Sequence, residues 1–168
     1  DGVARLGTSA EEAEAARALL AEAHHATART AWRLRIGEAL KTIASEQALA
    51  DVVFWDPYSP KTNPGLWTLE AFCTLRARCG PRATVYTYST ATAIRSAQLL
   101  AGFFVGAGDG SGPKEQTTAA AADPADLVRP LDRRWLERLE RSSAPFPADA
   151  PDDALERIRA HPQFSSSP

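Results

Sequence analysis

The stretch Asp56-Pro57-Tyr58-Ser59-Pro60-Lys61-Thr62-Asn63-Pro64-Gly65-Leu66-Trp67 gathers an acid, two aromatics, an amide and three prolines into one short loop. It directly follows the apolar run Val52-Val53-Phe54-Trp55. A carboxylate at the end of a buried strand can accept a hydrogen bond from a bound amine or hydroxyl. It can also orient an amine's lone pair or take its proton. Pro57 restricts the preceding Asp56 to extended backbone, which orders the acid before anything binds. Tyr58 offers a π face to a planar base or a cation. The same residues also suit a plain structural role, in which the Asp caps a turn and proline stiffens a loop.

The elements that would carry this loop follow from periodicity. A helix is expected over 9–26, capped by Ser9 and with Glu11, Glu12 and Glu14 favouring its positive end. Residues 32–36 alternate and read as a strand, 38–49 as a short helix, and 51–55 as a continuous apolar strand. A helix at 66–78, a turn at 80–82, a strand at 83–88 and a helix at 91–101 come next. Strands at 103–107 and 115–122 enclose the Gly-rich turn Gly108-Asp109-Gly110-Ser111-Gly112. Residues 133–141 read as a charged surface helix. From 142 onward Pro, Asp, Ala and Ser dominate, so 142–168 is expected to be a loosely ordered tail, with one short helix at 153–160. Strands alternating with helices imply an α/β sheet, whose sites lie at the carboxyl ends of its strands. Asp56 occupies such an end, and Tyr88, closing the next strand, is the second choice for lining the pocket.

Bulk composition narrows the function classes. A 168-residue chain with 44% hydrophobic and 24% charged residues is long enough for a buried core. A net charge of −2 gives no global attraction to polyanions, so any nucleic-acid partner needs a local basic patch. There is no run long enough to span a membrane and no signal-peptide pattern. Neither Cys73 nor Cys79 sits in a metal-ligand pattern, and the adjacent His24-His25 diverge on a helix, so no metal is expected. Reduced thiols point to a cytoplasmic location. The chain begins at Asp1 and contains no Met, which suggests a trimmed or partial sequence. Ser59 and Ser89 lack the His/Asp partners that a serine hydrolase needs.

Three segments taken in order carry a resemblance: ADVVFWDPYSPKTNPGLWTLEAF, ATVYTYSTATAIRSAQLLAGFFVGAG and PKEQTTAA. They resemble the MnmC-like methyltransferase family across 50–122. WRLRIGEAL (Trp32 to Leu40) is similar to that family's strand followed by Gly-Asp-Ala. The resemblance implies S-adenosyl-L-methionine as cofactor and the aminomethyl group of a wobble uridine in tRNA as acceptor. It implies a Rossmann-like class I methyltransferase sheet over 1–141 that lacks its first two strands, because no Gly-x-Gly turn and no ribose-holding acid precede it. Carried over by position, Asp56 meets the substrate amine near the methyl sulfonium. Gly37, Glu38 and Ala39, with Asp56 and Pro57, stand at the cofactor. Tyr58 shapes the uridine pocket beside Tyr88, and Lys61, Asn63, Arg95 and Lys114 lie around its mouth toward phosphate. Glu38 replaces the family's usual Asp, and Glu115 stands where Arg is common. Two alternatives stay open. One is a catalytically incomplete fragment or binding scaffold of the same fold. The other is a methyltransferase acting on a small amine or a protein.

Overall fold

A computed structural model describes residues 9–110 and 116–165. They form two compact units divided between Thr42 and Ile43, and the Asp56 loop belongs to the second.

In the first unit, α1 (Ala10–Glu22) opens with a capping box. The Ser9 side chain accepts from the Glu12 N–H, and Glu12 accepts from the Ser9 N–H. The Ser9 backbone N–H, and after it the Ser9 side chain, lower the pKa of the Glu12 carboxyl. The helix ends earlier than expected, because Ala23 takes a left-handed conformation (φ 56°) and turns the chain. Residues His24–Ala26 become β1, paired antiparallel with β2 (Ala31–Arg33) so that His25 faces Trp32. The Thr27 hydroxyl accepts from the N–H groups of Arg29 and Thr30 and closes the hairpin. The strand expected at 32–36 is therefore a short hairpin arm. α2 (Ala39–Ser45) starts where the Glu38 carboxylate accepts from the N–H groups of Leu40 and Lys41, at 3.0 and 2.9 Å.

The second unit is built on β3 (Ala50–Phe54), α3 (Leu69–Arg76), β4 (Cys79–Thr87), α4 (Thr92–Leu100), β5 (Phe104–Gly108) and β6 (Thr117–Ala121). The sheet order is β3-β4-β6-β5. β3 and β4 are parallel, and β6 runs antiparallel to both of its neighbours. The expected helix at 66–78 divides into a 3-10 turn, Pro64–Trp67, and α3, with Thr68 capping the latter. The Gly80-Pro81-Arg82 segment lies inside β4 instead of forming a turn. Ala83 and Val85 of β4 are fully buried, as are Phe72, Ala97 and Phe103 from α3, α4 and the start of β5's approach.

The two sheet edges differ. Outside β5, the segment around Pro130 bridges to Gly106. The Gln163 side chain accepts from the Val105 N–H (2.7 Å) and donates to the Val105 and Leu131 carbonyls (2.8 and 2.9 Å). A side chain at Gly106 would collide with the Arg129 carbonyl, so glycine permits this close approach. At the other edge, β3 has no second neighbour among the described residues, and Phe54 is 80% exposed.

The tail is ordered through residue 165, contrary to expectation. After the expected helix α5 (Arg133–Glu140), the tail adds α6 (Ala154–Arg159) and α7 (Pro162–Ser165), with Leu139 of α5 and Ala154, Ile158 and Phe164 of the tail buried. Long-range hydrogen bonds fasten it. The Asp149 carboxylate accepts from the Leu69 and Glu70 N–H groups and so caps α3, while Ser96 donates to the Pro145 carbonyl. Sparse apolar anchors and these polar ties make up for a composition that reads as loose.

Gln98 of α4 is fully buried, and neither polar atom of its amide has a hydrogen-bond partner among the described residues. An unsatisfied buried amide costs about 1–3 kcal/mol. Gln98→Met, which keeps the side chain's length, should therefore raise the free energy of unfolding in urea by about that amount. A clear loss of stability would show that the amide is paired in solution.

Candidate functional site

Prolines 57, 60 and 64 remove three N–H donors from the loop that follows β3, leaving its carbonyl groups to find partners elsewhere. Three aromatic side chains supply them. The Trp55 indole N–H donates to the Leu66 carbonyl at 3.1 Å, and the Trp67 indole N–H to the Tyr58 carbonyl at 2.8 Å. The Tyr88 hydroxyl donates to the Pro57 carbonyl at 3.1 Å. Trp67 and Tyr88 also meet edge-to-face, and both indoles are buried. Within the loop, the Ser59 carbonyl accepts from the N–H groups of Thr62 and Asn63. Backbone pairing of β3 with β4 continues one step beyond the strand, through the Trp55 N–H and the Tyr86 carbonyl at 2.8 Å. Asp56 is thus fixed on both sides while its own side chain stays exposed.

Two open cavities, of about 550 and 690 Å³, meet at Asp56 and Tyr88. Phe54, Tyr86, Thr87, Asp109 and Thr117 complete the first; Pro57, Tyr58, Ser59, Asn63 and Leu66 complete the second. Phe54 and Tyr86 stack at 5.9 Å and form an apolar shelf in the first cavity. Tyr58, 77% exposed, presents its ring to the second. The pair of cavities can therefore hold two groups on either side of one carboxylate, each against an aromatic surface that suits a planar or cationic group.

Of the residues singled out from sequence, Asp56, Pro57, Tyr58, Asn63 and Tyr88 come together at this place. Lys61 is exposed on the same loop. Gly37, Glu38 and Ala39 belong largely to the first unit's end, and the Glu38 carboxylate is engaged in capping α2. Those backbone N–H groups, Lys41's first, hold the Glu38 carboxyl below its ordinary pKa. Lys114 lies outside the described residues. Arg95 was expected at the mouth and is instead buried, 5% exposed. Its guanidinium donates to the Thr118 hydroxyl at 3.0 Å and the Thr117 carbonyl at 3.2 Å, and Thr118 in turn donates to the Ser89 carbonyl at 2.6 Å. This relay braces the end of β4 next to Tyr88. Burial, with the Arg138 charge second, pulls the Arg95 pKa down from its usual value. Trp55 and Trp67 read from the sequence as core or pocket-wall residues, with Trp67 packing the loop against its following helix; their hydrogen bonds to the loop carbonyls were not foreseen. Their signal was a proline-rich loop short of donors, flanked by aromatics that carry one.

Comparison with known proteins follows this geometry. A family described as "S-adenosyl-L-methionine-dependent methyltransferase" matches residues 9–123, more than half of the chain. The chain belongs to that family. It is 37% identical over 99 residues to the tRNA 5-methylaminomethyl-2-thiouridine biosynthesis bifunctional protein MnmC of Paracidovorax citrulli, covering 58% of this chain and 15% of the relative. Against the protein of the same name from Pseudomonas entomophila it is 35% identical over 106 residues, covering 59% and 16%. The crystal structure of MNMC2 from Aquifex aeolicus superposes with a TM-score of 0.68 at 27% identity, over 87% of this chain and 48% of that one. The family member described above thus has the mixed α/β methyltransferase fold, and it spans about half of the solved relative.

If the aromatic donors hold the loop, Trp67→Phe should keep the packing and release the Tyr58 carbonyl. Trypsin should then cut after exposed Lys61 several-fold faster, with about 1–2 kcal/mol of stability lost. An unchanged rate at Lys61 would show that the indole N–H contributes nothing to loop order.

Proposed function

We propose that this family member carries the acceptor side of an N-methyltransferase site, acting on the aminomethyl group of a wobble uridine in tRNA. The observation that carries the reading is the Asp56 carboxylate. It stands at the carboxyl end of β3, held by the pinned loop and open to two cavities at once. A neutral amine in one cavity would donate an N–H to Asp56, which turns its lone pair toward the other cavity. As the nitrogen gains a fourth bond its acidity rises, and the same carboxylate can take the proton. Most of the rate advantage would come from this positioning. Tyr58 would stack against the uracil ring, and Asn63 lies within the same cavity to bond its polar edge.

S-adenosyl-L-methionine, when bound, supplies an electrophilic methyl group on a cationic sulfur. Asp56 and the Phe54–Tyr86 shelf suit a cation of that kind. The residues described offer less to the nucleoside, since the Glu38 carboxylate already serves α2. The edge of β3 has no second neighbour among the described residues, so its backbone is placed to accept a further strand. The substrates of the relatives support tRNA as partner, and a soluble, cytoplasmic location fits such a partner. The same open edge and the engaged Glu38 favour a second reading, a binding scaffold with no turnover of its own.

Asp56→Ala should lower the turnover of methyl transfer by roughly 10²–10⁴-fold. S-adenosyl-L-methionine affinity, measured by calorimetry, should stay within about three-fold, a difference below 1 kcal/mol. Unchanged turnover would remove Asp56 from the reaction, whereas absence of turnover in the unsubstituted protein would favour the scaffold reading.

A further inference from the structure

A net charge of −2 gives the chain no general attraction to RNA, so a tRNA partner must be met by a local cluster of cations. α5 carries one. Its inner face is set by Trp135 and Leu139, four residues apart and both buried. Arg134, Arg138 and Arg141 follow at i, i+4 and i+7, and therefore share one outer flank of the helix. All three are exposed, and none forms an ion pair among the described residues.

The acids nearby are largely engaged elsewhere. Asp132 caps α5 itself, Asp149 caps α3, Glu140 binds Arg159 at 2.6 Å and Asp153 binds Arg157 at 2.8 Å. Glu137 borders the stripe itself, three residues from Arg134 and four from Arg141, so one acid stands against the three cations. Like charges at these spacings cost a few tenths of a kcal/mol per pair; Glu137 offsets part of that, but the cations outnumber it and the flank stays net positive. The stripe spans about 10 Å along the helix axis. Arg138 is near enough to Arg95 for its charge to be felt there, and Arg95 is bonded to Thr117, which lines the first cavity. α5 lies beyond the residues that the family match covers.

From this placement we infer that the Arg134–Arg138–Arg141 flank of α5 is a docking surface for the phosphate backbone of the RNA whose base enters the site. The inference rests on the tRNA reading above and gives it a contact surface. Arginine is suited to phosphate because its planar fork donates two hydrogen bonds at once. Such contacts hold the backbone and carry no sequence information, leaving base recognition to the cavities.

The test is binding of the full chain to unmodified tRNA across a salt series, by fluorescence anisotropy. The triple variant Arg134→Gln, Arg138→Gln, Arg141→Gln should bind at least about ten-fold more weakly at low salt, with the salt slope shallower by roughly two to three. An equal charge change at Arg133 of α5 and at Arg157 and Arg159 of α6, Arg133→Gln, Arg157→Gln, Arg159→Gln, should shift both far less. Circular dichroism should show the two variants folded. If the wild-type chain binds tRNA and the stripe variant binds it equally well, the surface is elsewhere and the Asp56 reading is untouched. If the wild-type chain fails to bind tRNA even at low salt, the stripe and the tRNA reading fall together. Loss of binding to phosphatidylglycerol vesicles with tRNA affinity unchanged would assign the stripe to a membrane and overturn the inference.

Discussion

Three hydrogen bonds from aromatic side chains to the carbonyls of a proline-rich loop set the geometry of everything that follows. Trp55, Trp67 and Tyr88 supply the donors that Pro57, Pro60 and Pro64 cannot. Proline alone lowers the entropy of a loop but leaves its direction open. The indole and phenol groups fix that direction, because each is itself seated in the core or against it. The outcome is a carboxylate that is exposed yet placed, which is what an amine needs if its lone pair is to be aimed.

The bracing extends outward from there. Tyr88 directly follows β4, and the carbonyl of the next residue, Ser89, is held by Thr118, which Arg95 holds in turn. A buried guanidinium with no carboxylate beside it is costly. Here it ties α4 to β6 and the end of β4, so helix, sheet and site loop are linked by a continuous set of hydrogen bonds. The tail contributes at one remove, with Asp149 capping α3 and Gln163 closing the β5 edge. The opposite edge, at β3, is left open beside the cavity that Phe54 lines.

Much of the second unit could be read from residue pattern. Apolar runs and caps announce β3, the second half of β4 and α3, and Asp56 falls just past a strand end as its position implies, but β3 was expected to be buried and lies exposed at the sheet edge. What could not be read depended on contacts far apart in the chain. Nothing local distinguishes Asp149 as a cap for a helix that starts eighty residues earlier, so the tail's Pro- and Asp-rich composition looked unfolded. Arg95 looked like a surface cation because arginine is seldom buried. Its burial follows from α4 being enclosed along nearly its whole length, with Ile94 through Leu99 all buried. At 24–33 a single left-handed residue, Ala23, turned an expected helix end into a hairpin.

The account stands on the loop being held in the free protein, before any ligand arrives. The most direct measurement is the exchange of the indole N–H protons of Trp55 and Trp67 with solvent, by NMR on the nitrogen-15-labelled chain, with Trp32, an exposed indole, as internal reference. Slow exchange of both, against fast exchange at Trp32, is the predicted result. Exchange of Trp55 and Trp67 as rapid as that of Trp32 would mean the loop is free, and Asp56 would have no fixed place from which to act.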